Sequence, residues 1–86
     1  MPSIQELIDE IRLIKQASEG LSASVAAAGH NLDAQGNVIA ALVRGSYTGQ
    51  EAVSVVHIAS QALADAAASM TALGHTCDHC VQSLSK

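Results

Sequence analysis

The chain has no phenylalanine and no tryptophan, and Tyr47 is its one aromatic residue. Only 14% of its residues are charged, yet 49% are hydrophobic, so any core must be built from Ala, Val, Leu and Ile. Basic charge is also scarce. Four bases against eight acids leave a net charge of −4, which lacks the positive stripe that nucleic-acid binding requires. No stretch comes near the roughly 20 apolar residues of a membrane-spanning helix. The first residues are interrupted by Gln5, Glu6, Asp9, Glu10 and Arg12, which fits no cleaved secretory leader. Two cysteines in one C-x-x-C are no disulfide framework, so a reducing compartment, the cytoplasm, is the expectation.

Catalytic patterns are missing as well. The chain contains no G-x-S-x-G, no phosphate-binding glycine loop and no H-E-x-x-H. Glu6 and Glu10, one helical turn apart, sit beside Arg12 and Lys15 as a solvated helix face would have them. The sequence is not expected to encode an enzyme, and no cofactor is implied. At 86 residues it makes one domain, residues 1–86, which alone would bury only about 60 to 65% of its unfolded surface. Low charge and regular apolar spacing argue against disorder.

What is present is helical periodicity. Ser3-Ile4-Gln5-Glu6 has the S-x-x-E form of a capping box, so a helix is expected from Ser3. Counted in sevens from there, the a series reads Ile4, Ile11, Ser18, Val25, Leu32, Ile39 and the d series Leu7, Ile14, Leu21, Ala28, Gln35, Leu42. Ten of these twelve positions are apolar, a period of 3.5 that fits a long coiled-coil-like helix and no strand. Gly29 and Gly36 fall at e positions, where a small residue lets another helix approach. They could break the helix into two, but the repeat passes through them unshifted, which favours one continuous helix.

Thr48-Gly49-Gln50-Glu51 reads as a second capping box, and Gly45 suits the end of the first helix. A second seam then runs Ala52, Val56, Ala59, Leu63, Ala66, Met70, Leu73, Cys77, Cys80, Leu84. The expected fold is all-α: an antiparallel helical hairpin with a helix over about 3–43, a turn over about 44–48 and a helix over about 49–84. Folding about Tyr47 sets Ala28 near Ala66, Gln35 near Ala59 and Ser18 near Cys77.

The second helix has only Asp65, Asp78 and Lys86 as formal charges after Ala52, and apolar residues extend beyond its seam. A helix apolar beyond one stripe touches more than one neighbour. The expectation is therefore a dimer of hairpins, like or unlike, forming a four-helix bundle. Val53, Val55, Ala62 and Ala67 are assigned to the added contact, and Val56, Leu63, Met70 and Leu73 join them as interface anchors.

Gly74-His75-Thr76-Cys77-Asp78-His79-Cys80 admits a second reading, a small metal-binding or thiol-sensing protein using His75, Cys77, His79 and Cys80. On a continuous helix the two cysteines share one face and the two histidines another, so the four cannot close around one ion. The simpler assignment makes Cys77 and Cys80 small core residues and leaves the histidines on solvated faces.

Two matched helices, a midpoint turn and Tyr47-Thr48-Gly49 within it resemble the WXG-type small helical-hairpin family, bacterial substrates and partners of type VII secretion. In that family a Trp-x-Gly motif marks the turn, and here Tyr47 and Gly49 would carry it as an aromatic variant. The resemblance implies pairing with a second hairpin, a link to a larger effector and export without a cleaved signal peptide. The family's C-terminal Tyr-x-x-x-Asp/Glu signal has no counterpart after Leu73, so export would depend on a partner.

Overall fold

The computed structural model of the chain describes residues 2–86, and Met1 of the expected domain lies outside them. Ser3 caps the first helix: its hydroxyl accepts from the Glu6 backbone N–H at 3.1 Å. Helix α1 then runs without a break through Ile4–Leu42, and helix α2 through Tyr47–Ser85. Gly29 and Gly36 interrupt nothing. No strand occurs among the described residues, and the all-α hairpin stands.

The bend is tighter than the sequence suggests. Val43 ends α1, its N–H reaching the Ile39 carbonyl, and Gly45 supplies the one positive φ among the described residues, +88°, a conformation that costs a residue with a Cβ about 1 to 2 kcal/mol. The cap of α2 is Ser46, whose Oγ accepts from Gly49 N–H at 3.1 Å. Thr48 therefore does not open the helix. Tyr47 and Gly49 both lie in the first turn of α2 rather than in the bend.

The two helices pack along their whole length into a rod of 63 × 19 × 14 Å. Its radius of gyration of 19.2 Å far exceeds the roughly 12 Å of a compact chain this long. The register falls close to the expected one: Lys15 meets Asp78, Gly29 meets Leu63 and Gly36 meets Val56.

Rotation about each helix axis differs from the expected one. On α1 the a series is inward from Ile11 onward, but its companion is the e series, Ile8, Lys15, Ser18's neighbour Ser22, Gly29, Gly36 and Val43, all buried or half-buried. The expected d series, Leu7 to Leu42, is exposed throughout. On α2 the inner rows are Gly49, Val56, Leu63, Met70, Cys77, Leu84 and Val53, Ser60, Ala67, Gly74, Val81. Of the other expected row, Ala52, Ala59, Leu73 and Cys80 are exposed and Ala66 is half-buried. Accordingly Ala28 and Ala66, or Gln35 and Ala59, are not the facing pairs.

The cause is side-chain size. The chosen rows hold Gly29, Gly36, Ser18, Ser22, Ser60, Ala67 and Gly74, which let the two backbones come close. A Cβ added at Gly36 would lie 3.1 Å from Val56 Cγ1, and one at Gly29 would lie 3.5 Å from Leu63 Cβ. Close contact substitutes for the missing aromatic bulk, since dispersion gain depends on near approach.

Candidate interaction surface

The seam has two unlike sides. On one, hydroxyls and charges bridge the helices. Ser60 Oγ shares its proton between the Asp33 carboxylate at 2.7 Å and the Gly29 carbonyl at 3.2 Å. Ser22 Oγ lies 3.0 Å from both the Ala67 carbonyl and Thr71 Oγ1. Lys15 Nζ pairs with Asp78 at 2.7 Å and with Glu19 at 3.7 Å. Lys15, Glu19, Ser22, Thr71, His75 and Asp78 line one open groove on this side. No buried side-chain nitrogen or oxygen among the described residues lacks a partner.

Asp78 accepts a hydrogen bond from the Lys15 ammonium and thereby holds its pKa above the ordinary 10.5, with desolvation pulling the other way. Since the folded value is raised, the pair's contribution is complete below the ordinary lysine value and is lost as pH rises through the folded one. Wild type and Asp78→Asn should therefore differ in melting temperature at neutral pH and converge above about pH 10.5. The pair is half-exposed to solvent, so salt should shrink the neutral-pH difference.

The other side of the seam has no bridge. In both helices the unused row is displaced from the seam in the same rotational sense. Because the helices run antiparallel, the two unused rows emerge on one face of the hairpin. On α1 they present Leu7, Ile14, Leu21 and Leu42, exposed by 40 to 79%, and on α2 Leu73, exposed by 41%. The remaining positions of these rows are Ala28, Gln35, Ala52, Ala59, Ala66 and Cys80. Val38 and Val55 flank them and are exposed too. No member of either row is charged.

The residues assigned to a partner interface from sequence divide accordingly. Val53, Val56, Leu63, Ala67 and Met70 are buried or half-buried in the seam within the hairpin. Val53 and Ala67, expected in an added contact, are thus already covered by α1. Val55, Ala62 and Leu73 are exposed. The d row of α1, assigned to the intramolecular seam, is the larger part of the exposed apolar face. Its heptad spacing was the available signal, but that spacing does not say which neighbour the row meets.

The cysteines separate as well. Cys77 is buried in the seam, whereas Cys80 is exposed on the apolar face and is not a core residue. His75 and His79 are exposed. Among the described residues no three His, Cys, Asp or Glu side chains are placed to hold a metal ion, and no helix is long and apolar enough to cross a membrane.

At the turn, Tyr47 is 82% exposed and covers nothing. Gly49 has a defined packing role: a Cβ there would fall inside the van der Waals envelope of Val43 Cβ. The glycine of the Tyr47-Thr48-Gly49 segment is where the two helices come into contact as they leave the bend. Compared with family models, with curated proteins and with solved structures, the chain matches none.

Proposed function

We propose that this chain is a non-catalytic helical interaction module that pairs with another helical hairpin and acts as its targeting or chaperone-like partner. The observation that carries this reading is the continuous uncharged face beside the seam, opposite the side that holds the polar bridges. Soluble monomers rarely leave large contiguous apolar patches uncovered. A row repeating every seven residues along α1 is the pattern that packs against further helices. A helix-in-groove or helix-on-helix contact would use Ile14, Leu21 and Leu73 as anchors.

Tyr47 and Gly49, in the first turn after the bend, support placing the chain beside the WXG-type hairpins. On that reading it serves type VII secretion in a bacterium. It works in the cytoplasm as companion to a larger effector, or leaves the cell with its partner and without a cleaved signal peptide. The work done is surface burial, with no catalytic group and no cofactor.

Light scattering and circular dichroism on the purified chain test the module reading. It predicts either an oligomer or a poorly folded monomer that orders when its partner is supplied. A chain that is monomeric, fully helical and cooperatively melting at micromolar concentration removes it, because such a face needs no cover.

A further inference from the structure

The C-x-x-C of α2 has no part in the module reading, and the fold gives its two thiols unlike surroundings. Cys77 is 7% exposed and, with Ile8 and Ala67, is one of three buried apolar side chains among the described residues. Cys80, one turn later, is exposed. We infer that Cys77 and Cys80 form a reversible oxidation site for small-molecule disulfides, and that closing it loosens the open end of the hairpin. The inference needs only the single hairpin and does not rest on pairing with another.

The first argument is reach. Three residues apart on an α-helix, the two Cα atoms lie about 5 Å apart, inside the range of roughly 4.4 to 6.8 Å found for disulfides. Their Cβ atoms, however, lie about 5 to 6 Å apart, and the bond needs about 3.5 to 4.5 Å, so this turn of the helix must tighten by about 1 Å. It is placed to do so. Helix α2 ends at Ser85, little more than one turn beyond Cys80.

The second argument is exposure, which orders the steps. The Cys80 thiolate attacks one sulfur of the small disulfide; a new S–S bond forms, the old one breaks and one small thiolate leaves. The Cys77 thiolate then attacks the Cys80 sulfur, the mixed disulfide breaks and the second small thiolate leaves. The two protons given up by the cysteines end on the two small thiols, so the chain is oxidised by two electrons and the small disulfide is reduced by two. Cys77 does not take the first step, because a bulky disulfide does not reach a sulfur inside the seam.

The consequence is mechanical. Asp78 lies between the two cysteines and holds Lys15 at 2.7 Å across the seam, the bridge nearest the open end. Ile11 and Val81 line the same groove as Cys77, and Leu84 beyond them is half-buried. Drawing Cys77 toward Cys80 takes its sulfur out of the seam, leaves a gap among these side chains and pulls Asp78 away from Lys15. A strained disulfide is the more easily reduced. The pair therefore stays a dithiol in a reducing pool and closes in an oxidising one.

Mass spectrometry of the purified chain after incubation with oxidised glutathione and an acid quench tests the site. Wild type should end as a single chain lighter by two hydrogen atoms, with Cys77 and Cys80 joined within one peptide. Cys77→Ala should stop at a glutathione adduct on Cys80, and Cys80→Ala should form its adduct at least tenfold more slowly. In the oxidised wild type, amide hydrogen exchange should rise at least tenfold from Cys77 to the C-terminus and in the facing turns of α1 up to Lys15, stay unchanged beside Gly45, and return on adding dithiothreitol. A wild type that keeps the adduct, links two chains or remains a dithiol overturns the site. Equal rates in the two variants overturn the order of steps, and unchanged exchange in the oxidised chain overturns the loosening. The decisive readings are made on wild type, so they hold even where Cys77→Ala lowers helicity. A well-folded monomer removes the module reading without touching any of these results.

Discussion

Gly49→Ala should lower the melting temperature by roughly 10 °C, even though alanine is the better helix former. The new Cβ would overlap Val43 Cβ, an atom bonded to the backbone that cannot swing away as a long side-chain end could. Either the first turn of α2 or the last of α1 must move. Overpacking of this kind costs about 1 to 3 kcal/mol and sometimes more. Improved helix propensity returns about 1 kcal/mol, and with the overlap on Val43 placing the cost in the upper half of its range a net loss of about 1 to 2 kcal/mol is expected.

The other glycines supply the controls. Nothing lies within 4 Å of a Cβ built at Gly20, and Gly20→Ala should raise the melting temperature by about 4 to 8 °C through propensity alone. Gly29→Ala meets only ordinary contacts at 3.5 and 3.6 Å and should also gain. Gly36→Ala presses Val56 Cγ1 at 3.1 Å and should fall between Gly29→Ala and Gly49→Ala. Thermal melts at one fixed protein concentration are required, since association would itself raise the midpoint. Adding Val43→Ala to Gly49→Ala should recover most of the loss, and a double-mutant cycle measures the coupling. If Gly49→Ala instead melts higher than wild type, the close contact at the turn is not what holds that position to glycine.

The second large effect is on association. On the proposed pairing of hairpins, Leu21→Asp should weaken association at least a hundredfold, whereas Leu13→Asp should leave it within about twofold. The two leucines are 53% and 59% exposed in the single hairpin, they lie on the same helix, and both changes add the same charge. They differ in direction. Leu21 belongs to the row on the apolar face, and Leu13 lies off that row, beside the groove lined by Lys15, Glu19 and Asp78. A carboxylate buried between hairpins without a partner costs several kcal/mol, and one left in water costs almost nothing there. Sedimentation equilibrium over a concentration series separates them. Equal loss in both variants would mean that added acid, not the face, controls assembly, and no loss in either would place the contact elsewhere.

Much of the hairpin could be read from residue order. Ser3 and Glu6 mark the start of α1, and the capping contact at Ser3 follows from side-chain chemistry within one turn. The unbroken seven-residue repeat through Gly29 and Gly36 outweighed their poor propensity, because packing along the whole helix outweighs about 1 kcal/mol per glycine. Gly45 at the bend is local chemistry too. The start of α2 was harder: Ser46 and Thr48 are both good caps, and the fold uses Ser46, whose hydroxyl accepts from the Gly49 N–H.

Residue order alone determined that this chain is two long helices, where they fold back and, to within two residues, which positions lie level with one another. It did not determine which flank of each apolar stripe faces inward. A stripe about 100° wide includes both flanks, so periodicity scores the d row and the e row of α1 as nearly equal, and it favours the leucines of the d row. The tertiary structure decided for the e row because Gly36 lets α1 approach Val56 and Gly49 lets α2 approach Val43 more closely than a residue with a Cβ would, and because Ser22 and Ser60 satisfy their hydroxyls only across that contact. A rotation of about 50° therefore put the glycines and serines inside. It also left Leu7, Ile14, Leu21 and Leu73 outside on one face, where no aromatic residue is available to cover them.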